Sequence, residues 1–367
     1  MPATKKKQQP LKVLHICGSH NRVGTEKNFL RLIHAQASLP DYEVLPLVAE
    51  GSWLASRLEE RGRPFKTAPF KRGFKAYFDR TTCKEIEQAI TDFGPDVIQN
   101  WAGRWSHFMP KTRQPKVARV GLFSSVRYIK NADYIVATTK NLFTFLAKKE
   151  KQENKIHYIP TFVNIPPKGF EDFRYDVRIE YNIPYEAHLV LLLGRLHEGK
   201  GFDIALFALN MLPQNVHMLI VGEGPEHGRL LDAVHADGQG HRAHFAGWID
   251  NTSPFFAAAD SFLLPSRNQS SCNVILEAWA HKLPVICTDI PAVKALVTPG
   301  ENAVVIPPED DVAVGKALQA LVDDKELRLK LAQKGNKHVH DAYSQKIVMQ
   351  AYDKLYRQAI VEKKRKR

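Results

Sequence analysis

The chain has 367 residues, of which 44% are hydrophobic and 25% are charged. This composition excludes a disordered or fibrous chain. At roughly 150 residues per domain, the length indicates two domains, one large domain or at most three small ones. The four cysteines (Cys17, Cys83, Cys272 and Cys287) form no CxxC or Cys/His cluster, which argues against a disulfide framework and a zinc site. The net charge of +13 indicates a polyanionic partner: nucleic acid, an anionic membrane or a phosphorylated substrate.

The sequence contains no apolar run long enough to span a membrane and no secretory signal at its start, so we expect a cytoplasmic protein. Residues 5–7 and 362–367 carry seven of the thirteen net positive charges. These basic tails are either solvated segments that aid solubility or contacts to a polyanion.

Short apolar runs alternate with helical patterns along the chain. The predicted strands are 11–17, 42–48, 96–100, 117–123, 134–138 and 156–159, followed by 189–194, 217–222, 244–248, 261–265, 284–288 and 303–306. Near-continuous apolar strands separated by helices are typical of parallel sheets covered on both faces. The pattern therefore predicts two doubly wound α/β domains.

The proline-containing break at 161–185 predicts the boundary between these domains. We expect an N-terminal domain over 1–165, a C-terminal domain over 166–344, a helix at about 345–362 that packs back on the first domain, and a basic tail at 363–367. Ligands of open parallel sheets bind beyond the carboxyl ends of the strands. Two such domains facing each other across a cleft would suit a phosphate-bearing ligand.

The most informative loop follows the apolar run 189–193. Gly194 ends the run, and Arg195 and Lys200 flank a tight turn before an amphipathic helix. Both cations therefore project from the carboxyl end of a strand, where they could hold a phosphate. The alternative is that both are ordinary surface charges.

A second loop, 265–273, leads from a strand into a helix that should begin near Cys272 or Asn273. Backbone N–H groups at such a helix start favour anions. Glu277 would face the cleft if Ile275 and Trp279 face the core, although a carboxylate near a helix start is also simply stabilising. The turn at 222–226 suits close backbone approach to a flat ligand, whereas the first loop, 18–26, lacks the GxGxxG dinucleotide fingerprint.

The order and spacing of these pieces resemble glycosyltransferase family 4. The resemblance extends through most of 186–345, and its motifs are Arg195 with Lys200, 222–226, 245–248, 259–266, 277–278 and 284–286. It is weaker in the N-terminal half, where Gly24 and Glu26 look like part of the family's first loop and 160–164 looks like its interdomain segment. The stretch 268–280 looks closest to bacterial enzymes that build the lipopolysaccharide core.

This resemblance implies a GT-B fold, a nucleotide-sugar donor, a glycan or glycolipid acceptor, retention of anomeric configuration, and neither a required metal nor another cofactor. The implied catalytic residues are Arg195 and Lys200, which would hold the diphosphate, and position 269. The implied donor-binding residues are Gly24, Gly194, Glu223, Gly224, Ser271, Cys272, Asn273 and Glu277. Among them, Glu277 would bind the ribose and Glu223 would lie near the base.

Two positions depart from the family pattern. Gln269 stands where the first glutamate of Glu-x7-Glu is expected, and Cys272 stands where glycine is expected. Glutamine can hydrogen-bond hydroxyls but carries no charge, so donor choice or activity could be altered, reduced or lost.

In the family, retention is usually explained by front-face attack without a protein base. His20, Arg104 and His107 are candidate sugar or acceptor contacts, although a lone histidine is more often structural or merely exposed.

The segment 65–80 interleaves five aromatic residues with five cations. This pattern favours contact with an anionic membrane, aided by the basic tails, and hence a peripheral position on the cytoplasmic face of the inner membrane. The alternative is a helix whose aromatic side chains pack inward.

Three other functions compete with glycosyl transfer: a nucleic-acid-binding module, for which no motif is present, an epimerase or phosphorylase-like enzyme on the same fold, and a catalytically silent sugar-nucleotide-binding homologue.

Overall fold

A computed structural model describes residues 9–22, 24–71, 79–149, 153–269 and 272–365, without the side chains of Arg104 and Glu153. The chain divides into two compact units. The first ends at Thr161 and takes up the chain again from Gln345, and the second spans Phe162–Ser344. The observed boundary lies four residues before the expected one at 165.

The described chain contains thirteen strands and thirteen α-helices. The strands are β1 (Leu11–Cys17), β2 (Tyr42–Ala49), β3 (Lys66–Ala68), β4 (Val97–Trp101), β5 (Lys116–Val120), β6 (Tyr134–Ala137), β7 (Ile156–Tyr158), β8 (His188–Leu193), β9 (Val216–Val221), β10 (Ala243–Gly247), β11 (Ser261–Leu264), β12 (Val285–Thr288) and β13 (Val304–Ile306). The helices are α1 (Gly24–Ala37), α2 (Trp53–Glu60), α3 (Arg80–Phe93), α4 (Lys140–Lys149), α5 (Phe173–Glu180), α6 (Phe202–Leu209), α7 (His227–Ala236), α8 (Ser253–Ala258), α9 (Asn273–Ala280), α10 (Pro291–Lys294), α11 (Asp311–Asp323), α12 (Lys325–Ala342) and α13 (Gln345–Arg365).

The first unit is built on a seven-stranded sheet of order β3-β2-β1-β4-β5-β6-β7, with every pairing parallel. Strand β1, next to the middle strand of the sheet, is mostly apolar, and its Val13, Leu14 and Ile16 are fully buried. Burial on both faces of the sheet explains why its strands lack a polar alternation. Sequence reasoning missed the three-residue strand β3, which lies inside the segment 65–80.

The second unit has a six-stranded parallel sheet of order β10-β9-β8-β11-β12-β13. Leu191, Phe262 and Trp279 are fully buried in one of its apolar layers. The strand order reverses between β8 and β11, and in open parallel sheets ligands bind beyond the carboxyl ends of the strands at such a reversal. The six strands predicted for this half of the chain are all present, each within one residue of its expected bounds.

Two predictions about local structure were wrong. The strand predicted over 117–123 ends at Val120, and a 3-10 helix over Phe123–Tyr128 follows it. The break at 161–185, expected as a linker, contains α5. This helix packs on α8 because Arg178, only 2% exposed, donates hydrogen bonds to the carbonyl groups of Ala258, Pro184 and Ala187.

Helix α13 belongs to the first unit. Its Tyr356 is fully buried and donates a hydrogen bond to Gln99 Oε1 (2.9 Å), while Gln36 Nε2 lies 3.4 Å from the same hydroxyl. The helix continues to Arg365, beyond the expected end at 362. Lys363, expected in a basic tail, instead lies in this last turn, with Nζ 2.7 Å from Asp133 Oδ1.

Candidate functional site

The carboxyl end of β8 leads into a loop that is pressed against the loop following β11. Lys200 closes a 3-10 turn over Glu198–Lys200, and Gly201 then takes a left-handed conformation (φ +65°). A Cβ atom on Gly201 would lie 2.1 Å from the carbonyl oxygen of Pro265. Only glycine fits this contact, which holds Lys200 beside the loop that carries Gln269.

Lys200, Gln269 and Cys272 form a chain of side-chain contacts. Lys200 Nζ donates to Gln269 Oε1 (2.6 Å), and Gln269 Nε2 lies 3.1 Å from Cys272 Sγ. The structure thus brings together three residues that the sequence analysis assigned to the site. An ammonium group can only donate hydrogen bonds, and an amide oxygen can only accept them. Lys200 therefore fixes which way the Gln269 amide points.

The charge of Lys200 has no carboxylate partner among the described residues. Burial lowers the pKa of its ammonium group. Burial also raises the pKa of the Cys272 thiol to about 11, so the neighbouring sulfur stays neutral near pH 7. A partly desolvated cation held by a neutral amide is suited to binding an anion.

Helix α9 begins at Asn273 with Cys272 at its N-cap, as expected from the sequence. Glu277 is half-buried, while Ile275 and Trp279 on either side are fully buried. Ile275 and Trp279 therefore face the core, which is the condition under which the sequence predicts Glu277 on the cleft side. Arg195 is exposed, and in the described part of the chain it forms neither a hydrogen bond nor an ion pair, so no contact joins it to Lys200.

The glycines of the turn after β9 serve backbone packing within the protein. A Cβ on Gly222 would lie 1.9 Å from the carbonyl oxygen of Gly194, and one on Gly224 would lie 2.1 Å from that of Leu196. Leu196 N in turn donates to the carbonyl of Glu223 (2.9 Å). The space expected for a flat ligand at these glycines is therefore filled by the 194–196 loop. The Glu223 side chain is exposed.

Sequence reasoning missed the ion pair that fixes these loops. Arg267 donates to both carboxylate oxygens of Asp203 (2.9 and 3.0 Å) and to the Glu198 carbonyl (2.6 Å), and its Nε lies 2.5 Å from Glu309 Oε1. Although burial raises the pKa of Asp203, the hydrogen bonds from Arg267 bring it below its usual value. The pair joins positions 64 residues apart, so no local pattern could have indicated it.

Some predicted site residues lie outside what the structure describes. These are Ser271 and the side chain of Arg104. Within the described ranges, no group of three His, Cys, Asp or Glu side chains could hold a metal ion.

The first unit contains a cavity of about 420 Å³, formed by loops that follow the carboxyl ends of β1, β3, β4 and β5. His20 lines this cavity, as do Trp105 and Tyr128. His107 does not line it, but its exposed ring contacts Tyr128 edge-on at 5.5 Å between centroids. Gly24 begins α1 in open space and also lies outside the lining.

Two Rossmann-like units, each built on a parallel sheet, are the architecture of GT-B glycosyltransferases. The crystal structure of a glycosyltransferase from Rickettsia africae ESF-5 superposes with a TM-score of 0.83, covering 96% of this chain and 99% of that one at 15% identity. The structure of Anabaena Alr3699/HepE in complex with UDP-glucose superposes with a TM-score of 0.78, covering 94% and 99% at 17% identity. These likenesses confirm the predicted fold.

Residues 187–324 match the family model for glycosyl transferases group 1. The lipopolysaccharide core biosynthesis glycosyltransferase LpsE of Rhizobium meliloti (strain 1021) is 31% identical over 263 residues, which cover 71% of this chain and 75% of LpsE. The chain belongs to the group 1 glycosyltransferases. The predicted enzyme class is thereby confirmed.

Proposed function

We propose that the protein is a retaining, metal-independent glycosyltransferase that moves a sugar from a nucleotide-sugar donor to a glycan or glycolipid acceptor of the bacterial surface, in lipopolysaccharide core synthesis. The observation that carries the donor part is the partly buried Lys200 at the carboxyl edge of the second sheet, which has no carboxylate partner among the described residues. A neighbour in fold was crystallised with UDP-glucose, and the relative LpsE is named for lipopolysaccharide core biosynthesis. Both facts support the proposed substrates.

The donor's diphosphate would be held by Lys200, by Arg195 from the same loop, and by the first N–H groups of α9. Negative charge builds on the diphosphate as the glycosidic bond breaks, and without a metal it must be met by fixed cations and N–H donors. A preorganised hydrogen-bond donor of this kind stabilises the transition state by about 2.7 to 4 kcal/mol. We propose that Glu277 binds the ribose and Glu223 lies near the base.

Retention would follow a front-face attack, in which a phosphate oxygen of the donor accepts the proton of the acceptor hydroxyl. The attacking oxygen then bonds to the anomeric carbon on the face that the nucleoside diphosphate leaves. No general base from the protein is required in this scheme. The Gln269 amide, oriented by Lys200, can hydrogen-bond hydroxyls of the transferred sugar without adding charge.

A thermal-shift comparison of UDP-, GDP-, ADP- and CMP-sugars tests donor binding, because a ligand bound only by the folded state raises its stability. We expect one nucleotide series to raise Tm and the Lys200→Ala variant to lose that shift. Lys316→Ala changes an exposed lysine on α11 and is the matched control. If no series raises Tm, or the two variants behave alike, donor binding at Lys200 is refuted.

Transfer assayed with and without excess EDTA tests metal independence, and the anomeric proton of the product in NMR tests retention. We expect an unchanged rate in EDTA and the same anomeric configuration in donor and product. A rate lost in EDTA and restored by a divalent cation would contradict the first expectation. An inverted product would contradict the second.

We further propose peripheral contact with anionic membrane on the cytoplasmic face, and the described residues favour for it a surface of the first unit outside the expected segment 65–80. In the segment 65–80, Phe70 is buried and 72–78 lie outside the described residues. No described helix combines the length and apolar character that spanning a bilayer requires. The first unit does expose Phe123 and Phe145, whose rings contact edge-on at 5.4 Å, and places Lys149 within 5.9 Å of Phe145.

Exposed aromatic rings beside lysines suit the interface of an anionic bilayer. Sedimentation with phosphatidylglycerol vesicles at low salt should recover the wild-type protein, and a Phe123→Ser/Phe145→Ser double variant should remain in the supernatant. Binding that is absent at low salt, or unaffected by the double variant, would refute this surface.

A second candidate function is supported by Gln269 and Cys272, which depart from the family pattern. A silent homologue would bind a nucleotide sugar and transfer nothing. Thermal stabilisation by a nucleotide sugar, without release of the nucleoside diphosphate for any acceptor extract, would favour that candidate.

A further inference from the structure

We propose that the cavity of the first unit is a binding site for a negatively charged saccharide, so that the acceptor sugar carries a carboxylate or a phosphate. The inference rests on the proposed function, because it names the chemical class of the acceptor. It is carried by three features of the cavity: a rigid wall, a mouth with two exposed cations, and aromatic sides.

The wall at Phe70 is preformed and strained. Phe70 has φ +40°, which is rare for a bulky residue. Thr82 Oγ1 accepts the Phe70 N–H (2.9 Å), and the Phe70 ring packs so closely on Gly18 that a Cβ there would lie 2.5 Å from ring atom Cδ1. Strained backbone persists only where the surroundings enforce it, and such positions cluster at ligand sites.

The mouth of the cavity carries two cations, Lys71 and Arg127. Both are exposed, and within the described ranges Lys71 Nζ forms no hydrogen bond or ion pair. Arg127 donates from Nε to the Ser124 carbonyl (3.2 Å), which leaves its two terminal nitrogens without a partner among the described residues. A guanidinium held in this way can bind a carboxylate or a phosphate through two parallel hydrogen bonds.

No carboxylate lines the cavity in the described part of the chain. Two carboxylates lie behind its wall, and both are already engaged by protein donors. Glu26 is 2% exposed and accepts the Ser19 hydroxyl. Asp79 is 1% exposed and accepts the N–H groups of Lys71 and Thr82. Burial raises the pKa of Asp79, whereas its hydrogen bonds and the charge of Lys71 lower it below its usual value. Arg127 therefore supplies the cation most available to a ligand, and Lys71 adds to the positive charge at the mouth.

Aromatic residues form the sides. Trp105, Phe108 and Tyr128 line the cavity, and the Arg127 guanidinium lies 5.1 Å from the centre of the Tyr128 ring, which helps to hold it in place. Aromatic rings offer flat apolar surfaces to the C–H faces of a pyranose, while His20 and Asn21 supply hydrogen-bonding groups. A neutral saccharide would use the rings and leave both cations unpaired.

The experiment compares matched saccharides on the full chain at low salt by ligand-observed NMR titration. The first pair is α-1,4-digalacturonate and α-1,4-galactobiose, and the second is mannose 6-phosphate and mannose. Saturating UDP is present throughout, so that the donor site is not open to the probes. We expect the charged member of at least one pair to bind about tenfold tighter than its neutral partner, and the pair that shows this identifies carboxylate or phosphate.

Arg127→Gln and Lys71→Gln should each remove most of that preference. Lys130→Gln, which removes an exposed lysine outside the lining, should keep it. Equal binding within both pairs, or a preference unchanged in both cavity variants, overturns the inference.

The same samples distinguish this inference from the proposed function. If nucleotide sugars raise Tm while the charged saccharides show no preference, only the charge of the acceptor is wrong. If no nucleotide sugar raises Tm but the charged saccharides bind at Arg127, the donor assignment fails and the saccharide site stands.

Discussion

Lys200 Nζ lies 2.6 Å from Gln269 Oε1, although 69 positions separate the two residues in the chain. The contact pairs a cation with a neutral acceptor, at a position where the family pattern has a glutamate. Lys200 therefore has no carboxylate partner among the described residues that would compete with an anionic ligand. Two predictions test this relationship.

Replacing Lys200 with alanine should lower kcat for sugar transfer by about 10²- to 10³-fold, the loss typical of removing one preorganised donor to developing negative charge. Its ammonium group is partly desolvated and, within the described ranges, hydrogen-bonded to Gln269 alone, so the fold should remain intact. Transfer kinetics and circular dichroism measure the two effects. Lys316→Ala should match the wild type, and unchanged transfer in Lys200→Ala would remove Lys200 from the mechanism.

Replacing Gln269 with glutamate should raise the Kd for UDP about tenfold at low salt, because the new carboxylate would pair with Lys200 and compete with the diphosphate. Gln269→Leu is the matched control, since it removes the hydrogen bond without adding charge and should change the Kd less. Isothermal titration with UDP measures both. Tighter UDP binding in the glutamate variant would show that the charge of Lys200 does not act on the diphosphate.

Replacing Arg178 with methionine should lower the free energy of unfolding by about 3 to 5 kcal/mol, as expected when one member of a buried ionic network is removed. The change leaves Asp260 paired with Arg174 and the Leu189 N–H, and it removes the Arg178 donors from the buried carbonyls of Ala258 and Ala187. Arg174→Met is the control, because its partly exposed guanidinium should contribute about 1 kcal/mol or less. Urea denaturation in which both variants lose the same stability would contradict this assignment.

His15 should make the protein less stable as pH falls. It is fully buried, and burial lowers its pKa to about 4, with the Gln36 hydrogen bond acting in the opposite direction. Trp101 Nε1 donates to His15 Nδ1 (3.3 Å), so Nε2 must carry the proton that faces Gln36 Oε1 (2.6 Å). Protonating Nδ1 would set two N–H groups against each other.

The unfolded chain binds this proton near pH 6.5 and the folded chain only near 4, so the contribution of neutral His15 is present above 6.5 and is lost as pH falls toward 4. Between pH 7.5 and 5.5 the loss should be about 1 kcal/mol. Urea denaturation at both pH values should show a smaller pH effect in His15→Gln, whereas His340→Gln, which changes an exposed residue, should behave as the wild type. Equal pH effects in all three proteins would rule out His15.

The strands of the second unit were predictable because each is a short apolar run ending in glycine, proline or a polar turn. The prediction of a strand over 117–123 was wrong for its last residues, because Phe123 starts a 3-10 helix and its ring packs on Phe145. The missed helix α5 lies in a polar, proline-containing stretch, and it is held by the contacts of Arg178 to distant carbonyl groups. A local sequence pattern does not indicate contacts with residues that are distant along the chain.

By itself, the sequence determined two parallel α/β units and the loops that carry Arg195, Lys200, Gln269 and Glu277, because these depend on the period of apolar residues and on the turn residues at the end of each strand. Only the tertiary structure decided three features: the hydrogen bond from Lys200 to Gln269, the ion pair of Arg267 with Asp203, and the cavity beside Phe70. The physical reason is distance along the chain: each of these features joins loops from different strands, and their positions are set by how the whole sheet packs.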